Sequence, residues 1–185
     1  MTSHRAHLRL LSCLFPVSLS VSSAVGPSRP GFIVAHYFPG IAGGFAPPTP
    51  DAIHTIDFYE PAFSAASTDQ HPVLQVTSSV RESGTPALPS AFPKSLTVAS
   101  GSEDESAIHD LKDLLKQLPV ESPPGSQDIY GLNTSIAWMS DDLQWYNGGP
   151  EGCGGGQSEV QADEEHKVKF KRAVEIVNGL VNKAK

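Results

Sequence analysis

The residue types best suited to catalysis in this sequence are a cysteine and a histidine, Cys153 and His166. Cys153 lies between glycines, and His166 follows thirteen positions later. A thiol becomes a nucleophile when a nearby base or helix amino terminus lowers its pKa. The spacing does not require the two side chains to meet, so we expect a thiol without a catalytic role. The alternative is a thiol-dependent enzyme or redox protein that uses both residues.

Two other patterns invite a ligand, namely the pair Asp141-Asp142 and the six glycines of residues 147–156. Adjacent carboxylates without the alternating spacing of a calcium loop are typical of a turn. The glycine run lacks the lysine and serine or threonine of a phosphate loop, which favours a plain connector. The sequence therefore predicts no metal site and no cofactor.

Three aromatic residues in the tract before the glycines are candidates for binding, Trp138, Trp145 and Tyr146. Indole and phenol rings combine apolar area with a polar group, so they can stack on a sugar or a peptide. Tryptophans in a small domain more often form its core. We therefore expect an aromatic layer together with Tyr130, and a ligand-binding surface is the alternative.

The amino-terminal stretch 1–24 has the layout of a secretory signal, with Arg5 and Arg9 ahead of a short apolar run. Its lack of acidic residues also suits a mitochondrial transit peptide, and a third interpretation gives it no targeting role. Secretion would make Asn133 a glycosylation candidate, because Asn133-Thr134-Ser135 is a sequon. The location is accordingly secreted if the signal operates, and otherwise mitochondrial or cytosolic.

The charge balance argues against two classes of partner. The net charge is -7, and the basic cluster at Lys167, Lys169, Lys171 and Arg172 directly follows three acidic residues. Binding to nucleic acid or an anionic membrane needs unopposed lysine and arginine. No segment is long and apolar enough to span a bilayer. We expect no nucleic-acid partner and no membrane span.

A change of composition near Ser95 divides the chain. Residues before it include 12 of the 16 prolines, while those from Ser95 onward carry the whole net charge. Short apolar fragments at 31–38, 53–59 and 73–80 could form strands, but proline interrupts a ladder. We therefore predict disorder over 25–94 and a small acidic folded domain over 95–185.

Two amphipathic helices are predicted within that domain. The first begins at Ser102, which forms a capping box with Glu105, and ends ahead of Pro119. The second begins near Asp163. Each carries an apolar stripe at helical spacing: Ile108, Leu111, Leu115 and Leu118 in the first, and Phe170, Ala173, Val174, Val177, Leu180 and Val181 in the second.

Between the helices, residues 135–139 and 143–146 favour strands, and Ser140-Asp141-Asp142 suits a turn. We predict a short hairpin here, with Ser140 as the cap of a helical turn as the alternative. The fold class is small α+β, with two helices flanking this hairpin or an irregular aromatic and glycine-rich segment.

The absence of catalytic and cofactor motifs favours a small acidic protein that acts as a non-enzymatic interaction module. Its partner would be another protein or a second copy. Self-association through Phe170, Val174, Val177 and Val181 is the specific version, because that stripe is wider than one short helix can cover. The alternatives are the thiol enzyme and a secreted ligand-binding protein.

Overall fold

The computed structural model describes residues 32–37, 50–59, 71–82, 88–89, 91–148 and 156–185. Six strands and two helices are seen in them: β1 (Phe32–Tyr37), β2 (Ala52–Tyr59), β3 (Val73–Val80), β4 (Lys94–Thr97), α1 (Glu103–Gln117), β5 (Thr134–Met139), β6 (Gln144–Tyr146) and α2 (Glu164–Lys183). The strands form one sheet in the order β4-β3-β2-β1-β5-β6, and every neighbouring pair is antiparallel. The prediction of a small α+β protein is confirmed.

The two helices lie side by side and run in opposite directions. The Lys183 Nζ at the end of α2 is 2.6 Å from the Asp104 Oδ1 at the start of α1. At the other end, the Lys169 Nζ donates to the Gln117 Oε1 over 3.1 Å. Both helices bury their apolar residues in the same core, so the pair forms one layer on the sheet.

The strand register explains which face of the sheet the helices cover. Ile33 of β1 is opposite Ile56 of β2 and Trp138 of β5, and Ile56 is opposite Val76 of β3. Directly paired residues share a face, and all four are buried. The helices add Leu111, Leu115, Phe170, Ala173 and Val177 to this core.

Both helix starts follow the capping chemistry of the sequence. The Ser102 hydroxyl accepts the Glu105 N–H over 3.2 Å, and the Glu105 carboxylate accepts the Gly101 N–H over 2.6 Å. At α2, the Asp163 carboxylate accepts the His166 N–H over 2.8 Å. These bonds satisfy N–H groups that have no partner within the helix.

The prediction of disorder over 25–94 is wrong for the described residues, because β1, β2 and β3 lie there in a regular sheet. The prolines do not interrupt these ladders. Pro50, Pro72 and Pro93 each lie one or two residues before a strand, where no ladder hydrogen bond is lost. Each fragment is too short to fold alone, but pairing supplies the contiguous apolar face that the sequence of any one strand lacks.

The boundary predicted at Ser95 is wrong as well, because β4 (Lys94–Thr97) spans it.

The predicted hairpin is confirmed: the Ser140 N–H donates to Leu143 O over 2.8 Å, and the two aspartates lie in the turn between them. This excludes a helix capped by Ser140. The hairpin is the end of the sheet, and the helices lie together on the sheet rather than on either side of the hairpin.

The predicted targeting stretch 1–24 lies outside the described residues. Among the helices that the structure describes, neither is long and apolar enough to cross a membrane.

Candidate functional site

A buried carboxylate organises the loops beside β6. Glu121 is 3% exposed, and its Oε1 accepts the Gly125 N–H over 2.9 Å and the Gly148 N–H. A buried carboxylate is tolerated only with such partners. Position 148 requires glycine, because a Cβ there would lie 2.5 Å from the Gly125 Cα. We call residues 119–133, 147–148 and 158–161 the loop cluster.

Asn147 extends the ladder of β5 beyond β6. Its side chain is 2% exposed. Its Oδ1 accepts the Ile136 N–H over 2.8 Å, and its Nδ2 donates to Thr134 O over 2.9 Å. The Asn147 backbone O accepts the Ser135 hydroxyl over 2.6 Å. The side-chain amide thus makes two hydrogen bonds to β5 that a main-chain peptide group would otherwise make.

Asp128 holds the turn that leads into β5. Its carboxylate accepts three backbone N–H groups, from Tyr130 over 3.2 Å, Gly131 over 2.9 Å and Asn133 over 2.7 Å. Asn133 has a φ of 48°, a left-handed conformation that asparagine tolerates better than most residues. Its side chain is exposed. Glycosylation of Asn133 remains a prediction that depends on secretion.

Ser158 ties the segment before α2 to the same loops. It is 6% exposed, and its hydroxyl accepts the Ser122 N–H over 3.0 Å. The Glu159 N–H donates to Ser122 O over 2.8 Å. Three separate parts of the chain are therefore joined in the loop cluster by polar contacts.

The aromatic residues mostly form core. Trp138 is 5% exposed and its Nε1 donates to the Ser140 hydroxyl over 2.9 Å, whereas Trp145 is 6% exposed and donates to Leu118 O over 3.0 Å. Trp138 and Trp145 therefore belong to the core, which is the role that the sequence favours for them. Tyr146 differs, since it is 48% exposed.

Tyr130 lies in the core against α2. Its ring stacks on Phe170 with the centroids 4.0 Å apart, and its hydroxyl donates to Pro119 O. Burial, and then the charge of Glu121, raises the pKa of Tyr130. The tyrosine therefore stays neutral and structural.

The α2 stripe that is predicted to self-associate is covered within this chain. Phe170 and Val177 are 0% exposed and belong to the core that the helices share with the sheet. Val174 and Val181 are half-buried and pack against the same core. The stripe is wide because it faces a sheet as well as α1.

The other residues weighed for catalysis or metal binding, Asp142 and His166, have structural roles. Asp142 accepts the Ser140 hydroxyl and lies 2.5 Å from the Lys112 Nζ, a hydrogen bond that lowers the pKa of Asp142. His166 caps α2 with Asp163. Cys153 lies outside the described residues, so the thiol without a catalytic role stays a prediction, and the thiol-dependent enzyme that uses His166 stays its alternative. No group of residues in the described part of the chain has the composition of a metal site.

At the edge of β6, main-chain groups have no partner among the described residues. Ser140 N–H bonds to Leu143 O, and Asn147 N–H bonds to Ile136 O. Hydrogen-bonded and non-bonded pairs alternate in an antiparallel ladder, so Trp145 is the residue of β6 that bonds to β5. Gln144 and Tyr146 therefore direct their N–H and C=O groups away from the sheet, and no described residue hydrogen bonds to these groups.

Exposed apolar side chains lie beside the same edge. Tyr146 pairs with Ala137, and Met139 pairs with Gln144, which places Met139 and Tyr146 diagonally on the face away from the helices. Met139 is 44% exposed. Main-chain groups that bond to no described residue and exposed apolar side chains thus lie together at β6.

Little in the sequence indicates this arrangement. Asn147 followed by a glycine at the end of a β-leaning run was a detectable signal, because glycine permits close approach of another backbone. Glu121 was harder to identify, since an acidic residue in a proline-rich linker is usually exposed.

No family model matches this chain, and no curated protein or solved structure matches it either.

Proposed function

We propose that this protein is a non-enzymatic interaction module that associates with a second copy of itself through the edge of β6. The observation that carries the proposal is the outward direction of the main-chain groups of Gln144 and Tyr146. Another extended chain is the partner best able to bond to them in series.

The edge is self-complementary. A two-fold axis at Trp145 would pair Gln144 of each copy with Tyr146 of the other. Each such pair exchanges two hydrogen bonds in an antiparallel ladder, so the outward N–H and C=O groups of both residues are all satisfied. The same patch serves on both subunits, as in most homodimers.

The flanking side chains add to the main-chain bonds. In this arrangement Gln144 of one copy lies directly beside Tyr146 of the other, while its other neighbour is Met139 of its own β5. The exposed side chain of Tyr146 therefore loses contact with water on association. The contact is short, because β6 has three residues. We therefore expect weak and reversible association, as short edge strands are poor templates.

The net charge predicts a salt dependence that distinguishes a second copy from a basic partner. Each copy carries a net charge of -7, so two copies repel each other. Salt screens that repulsion, and association should strengthen as ionic strength rises. A basic partner at the same edge would bind more weakly in salt.

Sedimentation equilibrium from low to high micromolar concentration tests the proposal. We expect a monomer–dimer equilibrium that shifts toward dimer with added salt. Tyr146→Lys should abolish the dimer, since lysine on an edge strand opposes pairing. Tyr59→Lys is the matched control, because Tyr59 is 45% exposed but lies at the end of β2. A monomer at every concentration, or equal loss in both variants, would overturn the proposal.

Gln144→Pro removes one outward N–H and no bond of the β5–β6 ladder, as proline allows on an edge. It should weaken the dimer while leaving the melting transition nearly unchanged. An unaffected dimer would show that the main chain of β6 is not the contact.

A further inference from the structure

The Asn147-Gly148 dipeptide joins β6 to the loop cluster at a point where both residues are held by hydrogen bonds. We infer that Asn147 is a deamidation site, closed in the folded protein and opened when the loop cluster loosens. The inference is independent of self-association, since it depends on contacts within one chain.

The chemistry needs water and no other reactant. The backbone nitrogen of Gly148 loses its proton and attacks the side-chain carbon Cγ of Asn147, which expels Nδ2 as ammonia and leaves a succinimide ring. Water then opens the ring at either carbonyl and gives aspartate or isoaspartate. Glycine favours the reaction because it has no side chain to obstruct ring closure.

The fold engages both reacting groups in other hydrogen bonds. The side-chain amide of Asn147 is engaged at both ends, by Ile136 N–H over 2.8 Å and by Thr134 O over 2.9 Å. The attacking nitrogen of Gly148 donates its hydrogen to Glu121. Ring closure would break all three bonds, and Asn147 is only 2% exposed to water.

Glu121 is a positioning residue for this closure. Its Oε1 joins Gly148 to Gly125, so it fixes the chain just after Asn147. Removing the carboxyl group frees the Gly148 amide while the hydrogen bonds of β5 to Asn147 remain. Local opening then exposes the dipeptide without unfolding the domain.

Deamidation would prevent the loop cluster from closing again. Aspartate has an oxygen where the Nδ2 of Asn147 donates to Thr134 O, so two acceptors would face each other in a buried ladder. A deamidated Asn147 therefore identifies a chain whose loop cluster has opened at least once. Isoaspartate would also lengthen the backbone beside Gly148, where the space is closed.

The chain contains its own matched control. Asn178-Gly179 has the same dipeptide sequence but lies inside α2, where the helix holds the backbone. In an unfolded chain the two sites have the same local chemistry. In the folded protein they are protected by different structures, so a change at one site alone reports local opening.

The experiment follows aspartate and isoaspartate at both sites by peptide mass spectrometry, in buffer and in urea. In urea we expect similar rates at Asn147 and Asn178. In buffer we expect both rates to fall at least about tenfold, which corresponds to about 1.4 kcal/mol of opening free energy. Equal rates at Asn147 in buffer and urea would overturn the inference.

Glu121→Ala should then raise the rate in buffer at Asn147 alone, and Glu121→Gln should restore much of the protection because it keeps an acceptor oxygen. If Glu121→Ala raises the rates at both asparagines, the variant has unfolded globally, and the buffer-to-urea comparison of the unaltered chain decides. A folded Glu121→Ala variant with an unchanged rate at Asn147 would contradict the role of Glu121.

Discussion

At the β4 edge of the sheet, Ser95 exchanges both of its main-chain hydrogen bonds with Lys185, over 3.1 and 3.3 Å. At the β6 edge, the corresponding groups of Gln144 and Tyr146 meet no described residue. Both strands are short, with four and three residues, so length does not explain the difference. At β4 the chain itself bonds to the outward groups of Ser95, which is a common defence against pairing, whereas no described residue does so at β6.

The largest expected effect comes from the core that supports both edges. Phe170→Ala should lower the free energy of unfolding by about 3–5 kcal/mol, because the ring is fully buried and stacked on Tyr130. Urea denaturation measures it. A variant that stays stable but loses association would show that α2, rather than β6, carries the contact.

Gly148→Ala tests the packing beside β6. The added Cβ would meet the backbone of Gly125, so we expect a loss of about 1–3 kcal/mol in the free energy of unfolding. Gly179→Ala is the control, since nothing lies within 4 Å of its Cβ position. In the helix this control should stabilise by about 1 kcal/mol. Equal destabilisation by both changes would contradict the close contact at Gly148.

Low pH should weaken the half of the sheet away from β6. His54 of β2 is 8% exposed, with its Nδ1 2.7 Å from the Ser78 hydroxyl, and burial lowers the pKa of His54 below 6.5. The unfolded chain therefore binds a proton more readily than the folded one. This contribution to stability is complete above pH 6.5 and declines as pH falls through 6.5 toward the folded-state pKa.

Urea denaturation between about pH 7.5 and about pH 5.5 measures this decline. His54→Gln should flatten it, whereas His109→Gln should leave it unchanged because His109 is exposed on α1. A decline that persists in His54→Gln would assign it to another group.

The smallest effect on stability is expected at the β4 edge, where Lys185 bonds to Ser95. Deleting Lys185 removes two main-chain hydrogen bonds and should cost about 1 kcal/mol. Amide exchange at Ser95 should become faster. If the deletion also creates a second mode of association, closure by Lys185 is what keeps the β4 edge unpaired. If Ser95 exchanges as before, the two edges do not differ in the way described.

The parts of the fold visible in the sequence were those with local signals. Capping residues and helical spacing located α1 and α2 closely, and Ser140 with the two aspartates marked the hairpin turn. The sequence marks β2 and β3 only as short apolar fragments, because their stability comes from pairing over long sequence separations. Pro50, Pro72 and Pro93 lie just before strands, and the sequence alone does not distinguish them from prolines that interrupt a strand.

The candidate site was less predictable than the fold. An apolar stripe such as that of Phe170 and Val177 has the same pattern whether a sheet or a partner covers it. An open edge has no residue signature, since it is defined by what fails to pair with Gln144 and Tyr146. Only the register of β5 and β6 identifies it.

Amide hydrogen exchange measured residue by residue, at low and at high protein concentration, tests edge pairing most directly. We expect the amides of Gln144 and Tyr146 to become protected as concentration rises, while those of Trp145 and Ser95 keep the same protection throughout. Exchange at Gln144 and Tyr146 that does not depend on concentration would contradict the account.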